Sequence, residues 1–278
     1  MTQPKKFADL HLHTTFSDGT YTPEELVAKS LKAGLSAIAV VDHDTVEGLP
    51  DCIAAGKTNG LEVIPGIELS AESEGQEIHV LGYLIDYRSK LLNEKLVFLN
   101  KRRVERVYKM VEKLKEMGIK LNPQTVFEVS GLGTVGRLHI ARAMVKEGLI
   151  SSLYDAFHKY IGDECPAYVC GFKFSAQEAI KAIRDSGGIP VLAHPYVVKN
   201  DELLHELIEQ GLMGLEAYYP EHSQSMINFY LNLAKENNLL VTGGSDFHGS
   251  AKPKVKIGAT KIPYELVERL KEAKNKHD

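Results

Sequence analysis

Histidines and carboxylates recur in short motifs at the ends of apolar runs. The set is His11-Leu12-His13 followed by Asp18, Asp42-His43-Asp44, Gly66-Ile67-Glu68, Ile78-His79-Val80, His194-Pro195 and Ser245-Asp246-Phe247-His248. It holds six of the eleven histidines. Neutral imidazole with carboxylate is the ligand mix of catalytic divalent-metal sites. Closed structural zinc sites are rich in cysteine, and this set has none. Nine candidate ligands result: His11, His13, Asp18, His43, Glu68, His79, His194, Asp246 and His248. A catalytic ion takes three or four protein ligands, so these donors suffice for two or three ions if Glu68 bridges.

Such a centre has a characteristic chemistry. Clustered divalent ions acidify a shared water, so that hydroxide forms near neutral pH. They also neutralise charge that builds on a phosphoryl group in the transition state. Hydrolysis of a phosphoester suits this best. Amide or lactone hydrolysis by a two-metal barrel is the chemical competitor.

The elements between the motifs alternate. Phe7 to Leu12 reads as a strand, and Thr22-Pro23-Glu24-Glu25 opens a helix with a capping box and proline in its first turn. Ala37 to Val41 is a continuous apolar run, as in a strand covered on both faces. Asp44-Thr45-Val46-Glu47 has capping-box spacing for the next helix. Short strands follow at Leu61 to Ile64 and at Ile78 to Ile85. The link between Glu68 and His79 has no room for a crossover helix. An antiparallel strand there would also bring His79 to the same rim as the other motifs. Alternation resumes with strands at Ile189 to Ala193, Met213 to Ala217 and Leu239 to Thr242, giving seven strands. In a parallel barrel the strand ends gather at one rim, which would collect the motifs. Residues two apart on a strand share a face, so His11 and His13 both point inward. Asp246 and His248 would do the same if their turn stays extended.

Between these halves the pattern is helical. A long helix spans about Glu94 to Glu116, with Val104, Val107, Tyr108, Val111 and Leu114 on one face. Its other face holds Lys101, Arg102, Arg103, Arg106 and Lys109. Further helices follow at Pro123 to Val129, Arg137 to Glu147 and Ser152 to Tyr160. The expected division is therefore a barrel at 1–98 and 168–278, with a small helical insertion domain at 99–167. Gly131, Gly133 and Gly136 precede the helix at Arg137, and a glycine-rich loop at a helix start offers N–H groups to a phosphate. Arg137 could add a bidentate clamp. The substrate-binding candidates are Arg137 and His139, then Arg102 and Arg106; a solvated helix face is the plainer reading of Arg102, Arg103 and Arg106.

Tyr218-Tyr219-Pro220-Glu221-His222 follows the sixth strand and so lies at the same rim. His222 could protonate a leaving oxygen, and His222 and His194 are the catalytic candidates. Asp42 and Asp44 read as residues that orient ligands or cap a helix.

Bulk properties narrow the partners. The chain has 278 residues, 44% hydrophobic and 25% charged, as in a soluble globular protein. A net charge of -4 argues against a broad nucleic-acid surface. The three cysteines, Cys52, Cys165 and Cys170, outline no disulfide framework, which favours a reducing cytoplasm. No signal-peptide stretch or membrane-length apolar run is read, so a cytoplasmic location without a membrane partner is expected. No stable protein partner is implied.

Taken together, the motifs from His11 to Gly19, Asp42 to Thr45, Gly66 to Glu68, His79 to Tyr83, Ala193 to Pro195 and Gly244 to His248 resemble the polymerase-and-histidinol-phosphatase (PHP) superfamily, in the right order over nearly the whole chain. The resemblance implies an α/β fold, a distorted (β/α)7 TIM-like barrel with a trinuclear centre. By motif position one metal would take His11, His13, Glu68 and Asp246. A second would take Glu68, His79 and His194, and a third Asp18, His43 and His248. Some relatives carry histidine where Asp18 stands, and the carboxylate should make the third site harder and more tolerant of manganese or iron. Gly136 to Arg142 and Pro166 to Val169 resemble the TrpH-like branch, which includes 3′,5′-nucleoside bisphosphate phosphatase and a 5′-to-3′ exoribonuclease. That branch commonly has proline where Leu138 stands here.

The expected protein is a phosphoesterase that uses two to three divalent ions, manganese, iron or zinc. Its expected substrate is a small phosphorylated nucleotide, foremost the 3′-phosphate of a nucleoside 3′,5′-bisphosphate. The alternatives are 5′-to-3′ trimming of a short 5′-phosphorylated oligonucleotide, histidinol-phosphate hydrolysis, and noncatalytic metal-dependent nucleotide binding.

Overall fold

The computed structural model describes residues 5–198 and 200–277. Eight strands form one sheet in the order β7-β6-β5-β4-β3-β2-β1-β8. They are β1 (Phe7–Leu12), β2 (Ala37–Val40), β3 (Glu62–Ser73), β4 (Gln76–Tyr83), β5 (Ile189–Leu192), β6 (Gly214–Tyr218), β7 (Leu240–Gly243) and β8 (Ile262–Pro263). β4 runs antiparallel to both β3 and β5, and β8 antiparallel to β1; the other pairs are parallel. The chain beyond β7 returns to the end of β1, where His13 N–H donates to Phe247 O (3.0 Å) and Phe247 N–H to His11 O (3.2 Å). The barrel is thereby nearly closed. The expected α/β barrel is present. β8 adds an eighth strand that is too short to show a periodicity.

The helices are α1 (Pro23–Lys32), α2 (Leu49–Asn59), α3 (Lys90–Glu116), α4 (Pro123–Ser130), α5 (Arg137–Lys146), α6 (Leu153–Ala156, continued by a π turn Phe157–Ile161), α7 (Ala176–Asp185), α8 (Asp201–Glu209), α9 (Gln224–Glu236) and α10 (Glu265–His277). None is long and apolar enough to cross a membrane. α1 starts as its sequence dictates, with Thr22 and Glu25 closing a capping box and Pro23 in the first turn.

α2 departs from expectation. It begins at Leu49, after the N-cap Gly48, and not at Asp44. Asp44 sits at φ 50° and spends its carboxylate elsewhere, accepting from Ser70 N–H (2.8 Å) and pairing with Arg103 Nε (2.6 Å). β3 is also far longer than the apolar stretch from Leu61. It continues through Glu68 into a hairpin with β4, turned by Glu74 and Gly75, both at positive φ as a two-residue hairpin loop requires. Its apolar run looks broken because Glu68 and Ser70 face the barrel interior, while Ile67, Leu69 and Ala71 pack outward beneath the helices.

Alternation also explains the two apolar layers. Ala8, Leu10, Ala39, Val41, Ile64, Leu81 and Tyr83 fill the barrel, and Leu12, Ile38, Val40 and Val80 pack on the outer helices. A register shift between Asp9 and Leu12 marks a bulge in β1. It switches the alternation, so that Leu10 and then His11 and His13 all face inward, while Leu12 faces out.

A third apolar cluster is confined to the helical segment. It joins Val107, Met110 and Leu114 of α3 to Val126, Ile140, Met144, Ile161 and Ala167. α3 buries Val107, Val111 and Leu114 as its periodicity suggests, but its inward face is rotated from the expected one. Arg103 and Arg106 are buried, whereas Val104 (39%) and Tyr108 (53%) are exposed. The reason is polar. Arg103 donates to Asp44, to Val135 O (3.1 Å) and to Ser70 Oγ (2.7 Å), stitching α3 to the barrel rim.

Candidate metal centre

Glu68 stands at the middle of the rim, almost fully buried. Its Oε2 lies 3.2 Å from His11 Nε2, 3.3 Å from His13 Nε2 and 3.3 Å from His43 Nδ1. Its Oε1 lies 2.9 Å from His79 Nδ1 and 3.2 Å from His194 Nε2. Asp246 Oδ1 lies 3.3 Å from both His13 Nε2 and His248 Nδ1, and 3.6 Å from His11 Nε2. Asp18 approaches His248 Nε2 at 3.1 Å and His43 Nε2 at 3.9 Å. All nine sequence-derived donors are therefore within one constellation. β4 does run antiparallel, which is how His79 reaches it.

The route to Asp246 and His248 is not the extended one expected. Asp246 is left-handed at φ 51° and His248 has φ -122°, ψ 18°. Just before Asp246, at Gly244, the chain passes so close to β1 that a Cβ there would lie 2.4 Å from His11 N. His194 is also left-handed, at φ 30°. Such backbone costs roughly 1–3 kcal/mol for a residue with a side chain, and it persists where the surroundings hold it in place. His194 N–H is so held, donating to Glu216 Oε2 at 2.8 Å.

Supporting groups fix the donors. The other oxygen of buried Glu216 accepts from His11 Nδ1 at 2.8 Å, which turns the Nε2 lone pair toward Glu68. Asp42 orients the loop that carries Asp18, accepting from Thr14 N–H (2.7 Å), Thr14 Oγ1 (2.6 Å) and Ser17 Oγ (2.6 Å). Asp246 Oδ2 accepts from Tyr219 OH (2.7 Å) and Lys252 Nζ (2.6 Å). Sequence reading missed Glu216, Tyr219 and Lys252 in these roles. A glutamate inside the apolar strand Gly214–Tyr218 was the available signal.

The donor set fits divalent cations. Among the described residues, His13 Nε2, Asp18 Oδ1, His43 Nδ1, His79 Nδ1 and His194 Nδ1 are buried without a hydrogen-bond partner. Orphaned polar atoms cost about 1–3 kcal/mol each unless something satisfies them. Three groups of donors converge closely enough to hold an ion: His13, Asp18, His43 and His248; His11, His13 and Asp246; and His43, Glu68 and His79. The electrostatics agree. Burial pushes the Glu68 carboxyl up, but His43, His11 and His79 outweigh it and hold it well below the usual range. Asp18 and Asp246 are held down against burial in the same way, by His248 and His43 and by Lys252 and His248. These ionised carboxylates draw positive charge. Burial pulls His13 down, yet Asp246 and Glu68 lift it to about 9.

Above the donors opens a cavity of about 780 Å³. Asp18, His43, His79 and His248 form its floor; Arg103, Arg106, Arg137 and Glu77 form a charged side; and Leu138, Leu153, Tyr154, Phe157 and Val255 form an apolar side. Arg137 pairs with Asp163 (2.7 Å) and with Glu77 (3.3 Å). Arg106 donates to Glu77 Oε2 (2.7 Å) and to Val169 O (2.7 Å).

The other candidates lie elsewhere. Arg102 is bound to Glu105 and to Gly171 O (3.1 Å) and does not line the cavity. His139 is buried, with Nδ1 accepting from Gly136 N–H at 3.1 Å, and it lines a separate cavity of about 360 Å³ behind the 14–20 loop. Burial lowers its imidazole to about 4. The glycine-rich loop offers less than expected. Its N–H groups at Gly131, Gly133, Thr134 and Gly136 are committed to Phe127 O, Ser130 O, Phe16 O and His139 Nδ1. His222 is one aromatic ring behind His194, with Tyr219 between them (centroids 5.5 and 5.3 Å). Its Nδ1 donates to Ala217 O at 2.8 Å, and burial lowers its pKa.

Comparison with known proteins places this geometry among relatives. The PHP domain family matches residues 9–162. A phosphoribosyl 1,2-cyclic phosphate 1,2-diphosphodiesterase from Eggerthella lenta is 30% identical over 87% of this chain and 94% of its own. The 5′-3′ exoribonuclease Rnm of Escherichia coli is 33% identical over 86% of this chain and 84% of its own. A 3′,5′-nucleoside bisphosphate phosphatase from Chromobacterium violaceum is 28% identical over 91% of this chain and 90% of its own. A Bifidobacterium adolescentis structure assigned to the metal-dependent phosphoesterases superposes with a TM-score of 0.87 at 32% identity, covering 96% of each chain.

Proposed function

The chain belongs to the PHP domain family and is a metal-dependent phosphoesterase, and from that premise we propose that it removes the 3′-phosphate of a nucleoside 3′,5′-bisphosphate. The observation that carries this reading is the cavity, where a donor-lined floor faces three arginines and an apolar side. A nucleotide with two phosphates needs those three surfaces: a hydrolytic floor, an anion clamp and a platform for a base. The 28% identity to the Chromobacterium violaceum phosphatase supports it.

In this reading His11, His13, Asp18, His43, Glu68, His79, His194, Asp246 and His248 hold two to three ions, manganese, iron or zinc. When bound, those ions acidify water and neutralise phosphoryl oxygens. The chain's own groups do the rest. Arg137, backed by Arg106, grips the phosphate that is not cleaved. Lys252 lines the cavity beside Asp246 and offsets phosphoryl charge. His194 and His222 are the proton-handling candidates. His222 commits Nδ1–H to Ala217, which leaves Nε2 as the accepting atom. Segment 99–167 is a functional unit here, because it supplies all three arginines and most of the apolar side. Arg102 and His139, also expected to bind substrate, do not line this cavity and serve the segment through the contacts already described.

A second reading is 5′-to-3′ trimming of short oligonucleotides, favoured by the 33% identity to the Escherichia coli exoribonuclease. The two separate in one experiment. With manganese, adenosine 3′,5′-bisphosphate is expected to release phosphate faster than a 5′-phosphorylated trinucleotide, histidinol phosphate or phosphoribosyl 1,2-cyclic phosphate, and to leave adenosine 5′-monophosphate intact. Faster turnover of the trinucleotide, or release of the 5′-phosphate, overturns the proposal.

A further inference from the structure

Glu77 is a buried carboxylate with more partners than oxygens. β4 places it two residues before His79, so both side chains share the inward face of the strand. Oε1 lies 3.2 Å from His79 Nε2. Oε2 lies 2.7 Å from Arg106 Nη2, 3.3 Å from Arg137 Nη2 and 3.5 Å from Tyr168 OH. One carboxylate therefore touches the donor cluster and the cavity's cationic side together. Sequence reading did not single it out.

Each contact has a consequence. An imidazole that holds a metal through one nitrogen is oriented by what its other N–H meets. Glu77 accepts at Nε2, and His79 Nδ1 points at Glu68 Oε1, 2.9 Å away. On its other side Glu77 cancels part of the arginines' charge. Arg137 is also paired with Asp163, so an incoming phosphate must compete with two carboxylates for it.

We propose that Glu77 is a positioning residue that couples the anion clamp to the metal centre: it supports the metal site through His79, the clamp arginines limit that support while the clamp is empty, and the limit is relieved when a phosphate draws Arg137 away. Arg106 and Arg137 polarise the carboxylate away from His79 while they are bound to it. A phosphate that recruits Arg137 leaves more of the charge for His79, so phosphate and metal favour each other's binding. Linkage makes the effect reciprocal: metal loading strengthens the clamp by the same factor. The substrate half of the inference rests on the proposed function. The metal half rests only on the contacts of Glu77.

The test is a double-mutant cycle on the full-length protein, with manganese affinity read by titration calorimetry. The proteins are wild type, Glu77→Gln, Arg137→Met and the double variant. Glu77→Gln is expected to weaken manganese binding by about 10-fold or more, as loss of an outer partner of a metal-bound histidine does. Arg137→Met is expected to tighten it several-fold in the wild-type background and to lose that gain in the Glu77→Gln background. An effect of Arg137→Met equal in both backgrounds would mean plain through-space charge and would overturn the coupling. Unchanged manganese affinity in Glu77→Gln would overturn the positioning role. On adenosine 3′,5′-bisphosphate, Glu77→Gln should lower KM and kcat together, a split that a merely destabilised fold does not produce. Should Glu77→Gln not fold, Glu77→Asp takes its place in the cycle. It keeps the charge, shortens the reach to His79, and should weaken manganese binding while leaving KM near wild type. If the wild type hydrolyses no bisphosphate, the functional reading fails and the manganese cycle still decides the coupling.

Discussion

The floor and the helical side of the cavity are built on opposite principles. The floor is made at strand ends, where Glu68, His11 and His13 are buried and each is held by a carboxylate, a backbone group or a bulge. The helical side is looser. It runs from Arg106, only 6% exposed and tied to Glu77, to Tyr154, 71% exposed and held by little beyond a stack on His158. Hydrolysis requires donors fixed to a fraction of an ångström, and a barrel rim supplies that. Choosing a substrate requires only a complementary surface, which helices can vary. Three relatives of 28–33% identity carry three different substrate names, as expected if the floor is shared and the helical side decides.

The largest expected effect tests the floor. Glu68 is the group on which five imidazoles converge, so in the proposed centre Glu68→Gln would remove the negative charge through which they could share cations. Phosphate release should fall by on the order of 10³-fold, comparable to removing a dominant electrostatic group from a hydrolase. Metal content, measured on the same sample by mass spectrometry, should fall with it. A variant that kept both would show the floor to be as tolerant as the side, and the contrast would fail.

The next effect asks how deep the rigidity goes. Glu216 does not face the cavity, yet it holds His11 through one oxygen and the backbone of His194 through the other. Glu216→Gln keeps the shape and weakens both bonds. Activity or metal affinity should drop by about 10–100-fold with KM for the bisphosphate little changed. An equal loss appearing in KM alone would place Glu216 with the substrate-binding groups.

The same contrast governs what was legible in the sequence. The floor could be read because histidine with carboxylate is a distinctive ligand mix for a catalytic metal, and strand ends put such residues in recognisable positions. The nine residues read this way converge on one rim. Their supports were harder to read. Glu216 is an ordinary glutamate until the nearly closed barrel brings it to His11, and Glu77 lies just before the strand read from Ile78, although β4 includes it. β3 was shortened because its inward residues are polar for the site's sake, which breaks the apolar run that marks a strand. A solvated face is the plainer reading of Arg103 and Arg106, with Arg106 also a substrate-binding candidate, because nothing in a helical periodicity shows that Asp44 and Glu77 lie across from them. The spacing around Asp44 fits a helix cap as well as a ligand-orienting residue. Its carboxylate serves a strand and a helix distant in sequence.

The smallest expected effect tests the helical side at its least constrained residue. Tyr154 lines the cavity beside Leu153 and Phe157, and its ring lies nearly parallel to that of His158 (centroids 5.3 Å, 17°). A base seated against that face gains stacking energy, and an aromatic platform of this kind contributes roughly 1–3 kcal/mol per base. The lower end applies here, because a ring this exposed is well hydrated before the base arrives. Tyr154→Ala should therefore raise KM for adenosine 3′,5′-bisphosphate by about 5-fold, with kcat, metal content and melting temperature unchanged, since no donor contacts the ring. Ribose 3,5-bisphosphate, which lacks a base, supplies the control and should be insensitive to the change. Equal weakening of both substrates would mean that Tyr154 shapes the cavity without touching a base, and recognition would then rest on the arginines alone.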